Sequence, residues 1–389
     1  MILAGGLGTR LRSVVSEVPK CMAPVAMNPF LYYLLQYISH YKVDRVVLSV
    51  GYLREKIYEW IDSCRDKFPF EIIYAVEEQP LGTGGGIRLA LEKCVSESVA
   101  ILNGDTFFDV DLDEMCKSHS VSGKLLSVAL KPMKHFFRYG NVELLKDGVI
   151  AAFMEKRQCE EGYINGGVYM VQRTELLSLL NELPEKFSFE TEVLQPQAAN
   201  GVLQGVVCNG YFIDIGIPED YERAGREFRV ASGGIDLSSY EGRGDTLFLD
   251  RDGVINRLRP NDYVKCVDEF EFLPGVLQAL TEWRQYFKRV IIVTNQRGVG
   301  KGVMSEASLN EIHDYMKAIM LKHGCVLDAI YYCTAVSDAD HNRKPNPGMA
   351  EMAVKEFPDI DLSNSLMIGD SDSDRKFAEN AEIASFICV

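Results

Sequence analysis

The chain has 389 residues, of which 47% are hydrophobic, and carries a formal net charge of -15 at pH 7. This length predicts two or three domains of about 150 residues each, with enough apolar residues to give each a core. The negative charge disfavours nucleic acid or an anionic membrane as the main partner, because both attract an excess of Lys and Arg, and no apolar run is as long as a membrane span.

Short apolar runs that end near Gly, Asp or Thr alternate with amphipathic stretches along nearly the whole chain. They are typical of strands in a sheet covered on both faces, where ligand groups gather at the strand carboxyl ends. The clearest runs are residues 46–50, 99–102, 246–249, 290–294 and 366–369. Residues 231–244 are rich in Gly and Ser and have no period, so they are predicted to link a domain of residues 1–230 to one of residues 245–389. The predicted fold class is α/β, with two Rossmann-like domains.

A glycine cluster follows the first apolar run. Gly5, Gly6 and Gly8 are expected to turn the backbone with positive φ and to bring its N–H groups against phosphate oxygens. Arg10 and Lys20 can then neutralise a triphosphate. The cluster lacks the third glycine of a dinucleotide fingerprint and the Gly-Lys-Ser/Thr end of a P-loop, so a tight turn after a strand explains it equally well. Because the chain begins two residues before Leu3, the first strand is expected to lack the usual lead-in.

Three later motifs favour the phosphate-binding interpretation of this cluster. Residues 78–86, Glu-Gln-Pro-Leu-Gly-Thr-Gly-Gly-Gly, are predicted to form a second flexible loop. Asp105 and Asp214 each follow an apolar run. If these two carboxylates converge, they can hold Mg²⁺ between phosphate groups.

Residues 1–230 resemble the sugar-1-phosphate nucleotidyltransferases, whose signature Gly-Gly-x-Gly-Thr-Arg-Leu…Pro-Lys matches here. The resemblance implies a GT-A-like mixed sheet and attack of a sugar phosphate on the α-phosphorus of a nucleoside triphosphate, with pyrophosphate leaving. It implies that Arg10 faces the leaving phosphates, that Lys20 bridges phosphates, and that Asp105 and Asp214 bind Mg²⁺. The nucleotide and sugar contacts that it implies are Gly5, Gly6, Gly8, Gln79, Gly82, Thr83, Gly140, Glu155, Lys156 and Asn165. Outside this context, a Glu-Lys pair such as 155–156 is usually a solvated surface pair.

Within that family, three segments are similar to the heptose-1-phosphate guanylyltransferases. They are Arg-Tyr-Gly-Asn at 138–141, Tyr-Ile-Asn-Gly-Gly-Val at 163–168 and Phe-Ser-Phe-Glu-Thr at 187–191. The similarity implies GTP as the nucleotide, although no residue by itself reads guanine.

A second site begins at Asp250 and Asp252, which follow the apolar run 246–249. Two residues apart on an extended chain, they can project into one crevice, where one attacks phosphorus and the other protonates the leaving oxygen. Such chemistry needs Mg²⁺ and a nearby cation to offset repulsion between carboxylate and phosphate. Candidates are Thr294, Asn295, Arg343, Lys344 and the acidic run 370–374. An EF-hand calcium loop beginning at Asp370 is disfavoured, because its sixth position is Arg375 and its twelfth is Ala381.

Residues 245–389 resemble the haloacid-dehalogenase phosphatases, and most of all their heptose bisphosphate and histidinol phosphate phosphatase group. The resemblance implies a parallel sheet with Asp250 as nucleophile and Asp252 as the acid that later activates water. It implies that Thr294 and Lys344 hold the phosphoryl group, with Asn295 and Arg343 beside the substrate. The Mg²⁺ ligands that it implies are Asp250, Asp370, Asp374 and the backbone carbonyl of Asp252. The short spacing of the motifs predicts no large cap, which leaves selectivity to loops 257–265, 297–301 and 337–343.

One departure from that group concerns zinc. Many members hold a structural zinc ion through Cys-x-His and Cys-x-Cys pairs, and only Cys333 of that set is present here. A closed zinc site needs four ligands, so no structural zinc is expected, and a degenerate pair of Cys333 with His341 is disfavoured. The ten cysteines contain no Cys-x-x-Cys pair and predict reduced thiols in a cytoplasmic protein.

Together the resemblances imply a bifunctional enzyme that uses Mg²⁺ in both domains, with GTP and sugar phosphates as its partners. If the phosphatase removed the anomeric phosphate it would destroy the transferase substrate, so a cooperating pair requires a sugar bisphosphate. A heptose 1,7-bisphosphate hydrolysed at C7 fits, with GDP-heptose as the product. The alternatives are a mannose 1-phosphate guanylyltransferase fused to a general sugar phosphatase, a histidinol phosphatase as second half, or a non-catalytic sugar-nucleotide sensor. The sensor is disfavoured because Asp105 and Asp214 are both present. The sequence does not predict the oligomeric state.

Overall fold

The computed structural model describes residues 1–6, 11, 15 and 17–389. They form two compact units, Met1–Ala224 and Gly225–Val389. The predicted site residues Gly8 and Arg10 lie outside the described residues. Across the described ranges, we find no helix with the length and apolar character needed to cross a bilayer.

In the described part of the first unit, nine strands form a mixed sheet. Its centre is parallel, in the order β6-β1-β4-β5, and β11 continues it beyond β6 as an antiparallel strand. Strands β8, β9, β10 and β12 extend the sheet on the β11 side, while β2 pairs with β3 and β7 pairs with β13. The strands are β1 (Ile2–Leu3), β2 (Pro24–Val25), β3 (Asn28–Pro29), β4 (Arg45–Val50), β5 (Glu71–Val76), β6 (Ser98–Asn103), β7 (Thr106–Phe108), β8 (Leu126–Phe136), β9 (Gly140–Leu144), β10 (Ile150–Lys156), β11 (Cys159–Gln172), β12 (Leu203–Val207) and β13 (Phe212–Asp214). The mixed sheet predicted for this half is confirmed.

Helices alternate with these strands along the chain, and some of their ends have the capping residues expected from helix chemistry. The fourth helix, for example, begins after Asp111, whose side chain accepts a hydrogen bond from the backbone N–H of Glu114, and ends at Gly123 in the left-handed conformation. The helices are α1 (Phe30–Ser39), α2 (Arg54–Cys64), α3 (Gly82–Lys93), α4 (Leu112–Ser122), α5 (Arg173–Asn181), α6 (Gln195–Ala199) and α7 (Pro218–Glu227). A π-helical turn, Glu190–Leu194, leads directly into α6.

The prediction of a flexible loop at residues 78–86 is wrong for its second half. Gly82–Gly86 form the first turns of α3, and Gly84, Gly85 and Gly86 are buried. Close packing explains the glycines: a Cβ on Gly84 would lie 2.1 Å from the ring of Phe187, and one on Gly85 would lie 2.7 Å from the carbonyl of Glu185. The absence of side chains lets the segment 185–187 lie directly on the helix.

Residues 225–389, all of which are described, contain a five-stranded parallel sheet in the order β16-β15-β14-β17-β18. Its strands are β14 (Gly244–Leu249), β15 (Phe287–Asn295), β16 (Ala329–Cys333), β17 (Leu366–Gly369) and β18 (Ser385–Cys388), and its helices are α8 (Val276–Trp283), α9 (Arg297–Gly300), α10 (Glu306–Lys322), α11 (Gly348–Glu356) and α12 (Asp372–Asn380). The apolar runs at 246–249, 290–294 and 366–369 are the buried central strands. This confirms the predicted parallel sheet, and its order brings the carboxyl ends of β14, β15 and β17 side by side.

The glycine- and serine-rich segment 231–244 lies within the second unit and packs against other residues of that unit. Leu237 is buried, and the ring of Tyr240 lies 5.0 Å from that of Phe287. Ala231 contacts Gly275, where a Cβ would lie only 2.7 Å from it.

Candidate functional sites

The first site is organised around two carboxylates and one ammonium. Strand β7 pairs with β13 so that Thr106 lies opposite Asp214, which brings Asp105 and Asp214 together. The Nζ of Lys20 donates to Asp105 Oδ2 at 2.5 Å and to Asp214 Oδ1 at 3.4 Å. Burial, and then the charge of Asp105, raises the pKa of Asp214. One ammonium between two acids leaves a net negative charge that suits a bound cation.

These groups lie in a cavity of about 1000 Å³. The cavity is lined by every predicted site residue of this half that the structure describes: Gly5, Gly6, Lys20, Gln79, Gly82, Thr83, Asp105, Gly140, Glu155, Lys156, Asn165 and Asp214. Glu155 and Lys156 make no ion pair among the residues that the structure describes, so both charges remain available in the cavity wall.

The expectation of positive φ at Gly5 and Gly6 is wrong, because neither residue has φ in the left-handed region. Gly5 is favoured for a steric reason, because a Cβ at this position would lie 3.0 Å from Oε1 of Glu77. Apart from its chain neighbours, no described residue has an atom within 4 Å of the Cβ position of Gly6, and Gly6 lines the cavity. Its lack of a side chain therefore leaves room for a ligand.

Two predicted contacts use their polar atoms within the protein. The hydroxyl of Thr83 accepts a hydrogen bond from the backbone N–H of Phe189 at 2.9 Å. The amide of Asn165 donates to the hydroxyl of Tyr169 and accepts from the backbone N–H of Gly167. Both residues therefore shape the cavity wall, in addition to any contact with a ligand.

Several cavity residues were not predicted from the sequence. Glu77 accepts hydrogen bonds from Ser49 Oγ at 3.0 Å and from the backbone N–H of Leu81 at 3.2 Å, and so ties β4 to the start of α3. Glu190 enters the wall from the π-helical turn, and Arg138, which pairs with Asp220 at 2.6 Å, enters from the segment before β9. Arg138 and Glu190 lie in the segments quoted above for their similarity to guanylyltransferases, which was the available signal.

The second site has a buried ion-pair network at its centre. Lys344 Nζ lies 2.8 Å from Asp250 Oδ1 and 2.5 Å from Asp374 Oδ1. Burial raises the pKa of Asp250 to about 7, although Lys344 acts in the opposite direction. Burial alone would lower the pKa of Lys344, but the two carboxylates raise it above its ordinary value. Lys344 is therefore held as a cation.

Asp370 completes a cluster of three acids. Side-chain oxygens of Asp250, Asp370 and Asp374 lie within 4.8 Å of one another. Burial, and then the charge of Asp374, raises the pKa of Asp370 to about 6. Gly253 permits this arrangement, since its φ is +92° and a Cβ there would lie 2.1 Å from Asp370 Oδ2. Three carboxylates around one ammonium form a site with surplus negative charge.

Asp374 also has a structural role that the sequence did not indicate. Its Oδ2 accepts hydrogen bonds from the backbone N–H and the hydroxyl of Ser371. The backbone N–H of Asp374 in turn donates to Ser371 Oγ at 3.4 Å, so the two residues form a capping box at the start of α12. The acidic run that resembles a calcium loop is therefore a strand end, a helix cap and a first helical turn.

Asp252 lies beside this cluster in a different environment. Arg251 Nη2 donates to both of its oxygens, at 3.1 and 2.9 Å, and Asn256 and Gln296 donate to it at 3.0 and 2.9 Å. Burial opposes ionisation, but these donors outweigh it and lower the pKa of Asp252. Arg251, Asn256 and Gln296 were not predicted. They belong to segments quoted in the sequence analysis, but nothing in a linear pattern says that they converge on one carboxylate.

Among the remaining predicted residues, Asn295 links the end of β15 to Lys344. Asn295 exchanges two hydrogen bonds of 3.0 Å with the backbone of Lys344, and Thr294 accepts one from Gln296 at 2.9 Å. Arg343 pairs with Asp338 at 2.9 Å.

Cys333 and His341, the pair considered as zinc ligands, each contact a carboxylate. Cys333 Sγ lies 3.6 Å from Asp340 Oδ1. His341 Nε2 lies 2.7 Å from Glu351 Oε2.

Comparison with known proteins agrees with this division into two sites. Residues 1–229 match the nucleotidyl transferase family model, and residues 245–387 match the model for polynucleotide kinase 3 phosphatase. Over 229 residues the chain is 45% identical to a D-glycero-alpha-D-manno-heptose 1-phosphate guanylyltransferase of Aneurinibacillus thermoaerophilus, a match that spans 59% of this chain and 97% of the relative.

Two further proteins extend the comparison. Over 144 residues the chain is 38% identical to a D-glycero-alpha-D-manno-heptose-1,7-bisphosphate 7-phosphatase of Mycobacterium bovis, covering 37% of this chain and 76% of the relative. The crystal structure of HddC from Yersinia pseudotuberculosis in complex with GMP-PN matches with a TM-score of 0.52 at 34% identity, covering 58% of this chain and 97% of that one. Through residues 1–229 the chain belongs to the nucleotidyl transferase family, and it carries a second enzyme domain, a phosphatase, in residues 245–387.

Proposed function

We propose that the chain is a bifunctional enzyme of activated heptose synthesis. Its second half removes the C7 phosphate of D-glycero-α-D-manno-heptose 1,7-bisphosphate. Its first half then transfers GMP from GTP to the resulting heptose 1-phosphate, giving GDP-heptose and pyrophosphate. One observation carries the proposal: the two halves are similar to two enzymes whose names describe acting on the same sugar, one on the bisphosphate and one on the monophosphate. The relative crystallised with GMP-PN supports a guanine nucleotide.

At the transferase site, the proposed work of the protein is positioning and charge neutralisation. We propose that phosphate oxygens lie beside Gly6, whose Cβ position no described residue other than its chain neighbours approaches within 4 Å. Lys20 uses two of its three N–H donors on Asp105 and Asp214, and the third is available to a phosphate. Glu155, Lys156 and Asn165 lie in the wall of the same cavity, where they can contact the sugar phosphate.

At the phosphatase site, we propose that Asp250 attacks phosphorus through Oδ2. Its Oδ1 accepts hydrogen bonds from the backbone N–H of Arg251 at 2.7 Å and from Lys344, whereas Oδ2 has no such partner within residues 225–389. Lys344 then stabilises the phosphoryl oxygens and Thr294 orients them. As Asp250 Oδ2 bonds to phosphorus, the bond between phosphorus and the C7 oxygen breaks, and we propose that this oxygen takes a proton from Asp252. The donors around Asp252 lower its pKa and favour its ionised form, in which it takes a proton back from the water that hydrolyses the aspartyl-phosphate and releases orthophosphate.

Both sites have the composition expected for Mg²⁺, with carboxylate oxygens that outnumber the cations beside them. Asp105 and Asp214 would hold the ion in the first site. Asp250, Asp370, the Asp252 carbonyl and Asp374 would hold it in the second, although the capping role of Asp374 leaves it the least free of these. Bound Mg²⁺ would neutralise phosphate charge at both sites.

The proposed domain boundaries remain 1–230 for the transferase, 231–244 for the linker and 245–389 for the phosphatase. We propose that the phosphatase has no separate cap domain. The connection between β14 and α8, residues 250–275, contains one short helical turn, Val267–Glu269, and the connection from β16 to α11 spans only residues 334–347.

The test is phosphorus NMR of the purified chain with Mg²⁺, GTP and the α-configured heptose 1,7-bisphosphate. We expect orthophosphate first, then pyrophosphate together with a diphosphate diester. Mannose 1-phosphate and histidinol phosphate serve as competing substrates for the two halves. Orthophosphate without pyrophosphate would reject the guanine or sugar assignment of the first half, and no turnover of the bisphosphate would reject the shared substrate.

A further inference from the structure

Two arginines of the phosphatase half meet at a single carboxylate. Arg297 Nη2 lies 2.6 Å from Asp338 Oδ1, and Arg343 Nε lies 2.9 Å from the same oxygen. The pKa of Asp338 is lowered, first by its hydrogen bond with Arg343 and then by the charge of Arg297. Two guanidinium groups are therefore held as close neighbours, although like charges repel each other.

The same arginines also bind the backbone on either side of Asp338. Arg297 Nη2 donates to the carbonyl of Val336 at 2.7 Å, and Arg343 Nη1 donates to that of Ala335 at 3.4 Å. Asn346 donates to the carbonyls of Asp338 and Asp340 at 3.2 and 2.8 Å. The segment 335–340 is thus anchored by side chains at several points, with Asp338 at the centre of the cluster.

Both arginines are neighbours in sequence of residues in the phosphatase site. Arg297 follows Gln296, which donates to both Asp252 and Thr294. Arg343 precedes Lys344, which pairs with Asp250 and Asp374. Through its two arginines, Asp338 therefore connects the segment that follows β15 with the segment that contains Lys344. These are the two segments that would hold the phosphoryl group.

Some N–H groups of the two arginines are not used in these hydrogen bonds. The bonds use Nη2 of Arg297 and both Nε and Nη1 of Arg343, whereas Nη1 of Arg297 and Nη2 of Arg343 make no hydrogen bond within residues 225–389. With one carboxylate between two guanidinium groups, the cluster has a net charge of about +1 when all three groups are ionised. Paired guanidinium groups are well suited to a phosphate, which accepts several charge-assisted hydrogen bonds at once.

We propose that Asp338 is a positioning residue for the phosphatase: it holds Arg297 and Arg343 together so that they bind the phosphate that the enzyme leaves on its sugar bisphosphate substrate. This proposal rests on the bisphosphate assignment above. An exposed ion pair usually contributes little. Here the carboxylate is shared by two arginines that also fix the surrounding backbone, so its loss releases a whole segment.

The test compares Asp338→Ala with Asp338→Glu and with a matched control, Asp359→Ala. Asp359 is likewise an exposed acid that pairs with an arginine, Arg289, at 2.6 Å, and it has no part in either site. Each full-length variant is assayed with Mg²⁺ on the heptose 1,7-bisphosphate and on p-nitrophenyl phosphate, which has no second phosphate.

For Asp338→Ala we expect KM for the bisphosphate to rise about tenfold with kcat within about twofold, and KM for p-nitrophenyl phosphate to stay within about twofold. Asp338→Glu should recover most of the loss, and Asp359→Ala should behave as wild type. An unchanged KM for the bisphosphate, or an equal loss on both substrates, would overturn the proposal.

Hydrogen exchange of the backbone amides in residues 335–343 gives a readout that does not depend on the substrate. We expect exchange there to accelerate about tenfold or more in Asp338→Ala and not in Asp359→Ala. Unchanged exchange would show that Asp338 does not hold the segment, even if kinetics changed. If wild-type enzyme hydrolyses p-nitrophenyl phosphate but not the bisphosphate, the proposed function fails separately, and the exchange result still decides the positioning role.

Discussion

Lys344 and Asp250 form a buried ion pair with 2.8 Å between Nζ and Oδ1, and the same ammonium lies 2.5 Å from Asp374. Lys344 therefore joins the end of β14 and the first turn of α12 to the segment that follows β16. Removing a charge from such a pair leaves its partners uncompensated, which usually costs more than the pair itself contributes.

Replacing this cation should affect stability and activity together. We expect Lys344→Met to reduce phosphate release by about a thousandfold or more and to lower the unfolding free energy of the second unit by about 3 kcal/mol. Lys344→Arg keeps the charge and should lose activity with a smaller loss of stability. Urea unfolding and a phosphate assay measure the two effects, and pyrophosphate formation provides the internal control. Phosphatase activity within tenfold of wild type would contradict the assigned role.

The two activities should separate cleanly by mutation. Asp250→Asn removes the proposed nucleophile, so phosphate release should stop while pyrophosphate formation from supplied sugar 1-phosphate continues. Asp105→Asn weakens the pair of carboxylates at the other site and should have the reverse effect. Asp361→Asn, which changes an exposed residue that caps the short helical turn Leu362–Asn364 and is not a predicted site residue, serves as control. Loss of both activities from either substitution would contradict the assignment of the two activities to separate sites.

The raised pKa of Asp370 predicts how this residue affects the stability of the metal-free protein. Its pKa of about 6 in the folded protein lies above the ordinary value of 3.8, so ionisation opposes folding. The penalty is absent below about pH 4, grows as the pH rises to about 6, and is complete above that. Asp370→Asn should therefore stabilise the metal-free protein at pH 7.5 by about 2 kcal/mol, after allowance for partial exposure, while abolishing phosphatase activity.

The measurement for Asp370 is thermal unfolding with and without Mg²⁺. Wild-type protein should gain stability on adding Mg²⁺, because the ion offsets the surplus carboxylate charge. The Asp370→Asn variant should gain less. A variant that is destabilised in the absence of Mg²⁺ would show that the cluster is not electrostatically strained.

The sequence predicted the positions of the central strands because short buried strands read as continuous apolar runs. It also predicted that Asp250, Thr294 and Asp370 converge, since the carboxyl ends of parallel strands share one edge. It did not predict that Arg251, Asn256 and Gln296 surround Asp252, because that contact depends on side-chain direction in loops. The glycines of α3 could not be assigned from the sequence for a similar reason. A run of glycines is found both in flexible loops that bind ligands and in helices that pack closely against a side chain, here that of Phe187.

Replacement by alanine should affect stability at Gly84 and nucleotide binding at Gly6. Gly84→Ala places a methyl group in the ring of Phe187, so we expect it to destabilise the first unit by about 2 kcal/mol. Gly6→Ala adds a methyl group at a position that no described residue, apart from the chain neighbours, approaches within 4 Å, so it should leave stability nearly unchanged and raise KM for GTP. Thermal unfolding and pyrophosphate-release kinetics on the two variants make the comparison. Equal destabilisation would mean that Gly6 serves packing and not ligand access.

His313 gives a pH-dependent prediction in the second unit. Its ring is buried, and its Nε2 lies 3.2 Å from Nη1 of Arg251. Burial, and then the charge of Arg251, lowers the pKa of His313 to about 3 from its ordinary 6.5. The unfolded chain therefore takes up a proton between these values that the folded protein does not.

Stability should accordingly fall as the pH drops below 6.5, by about 2 kcal/mol at about pH 5 from this residue alone. His313→Gln removes the titrating group, so its unfolding free energy should depend less on pH over that interval than the unfolding free energy of the wild type. Urea unfolding at several pH values between 5 and 7.5 measures both slopes. If His313→Gln and wild type show the same slope, the imidazole is already protonated in the folded protein, and its contact with Arg251 must be mediated by another group.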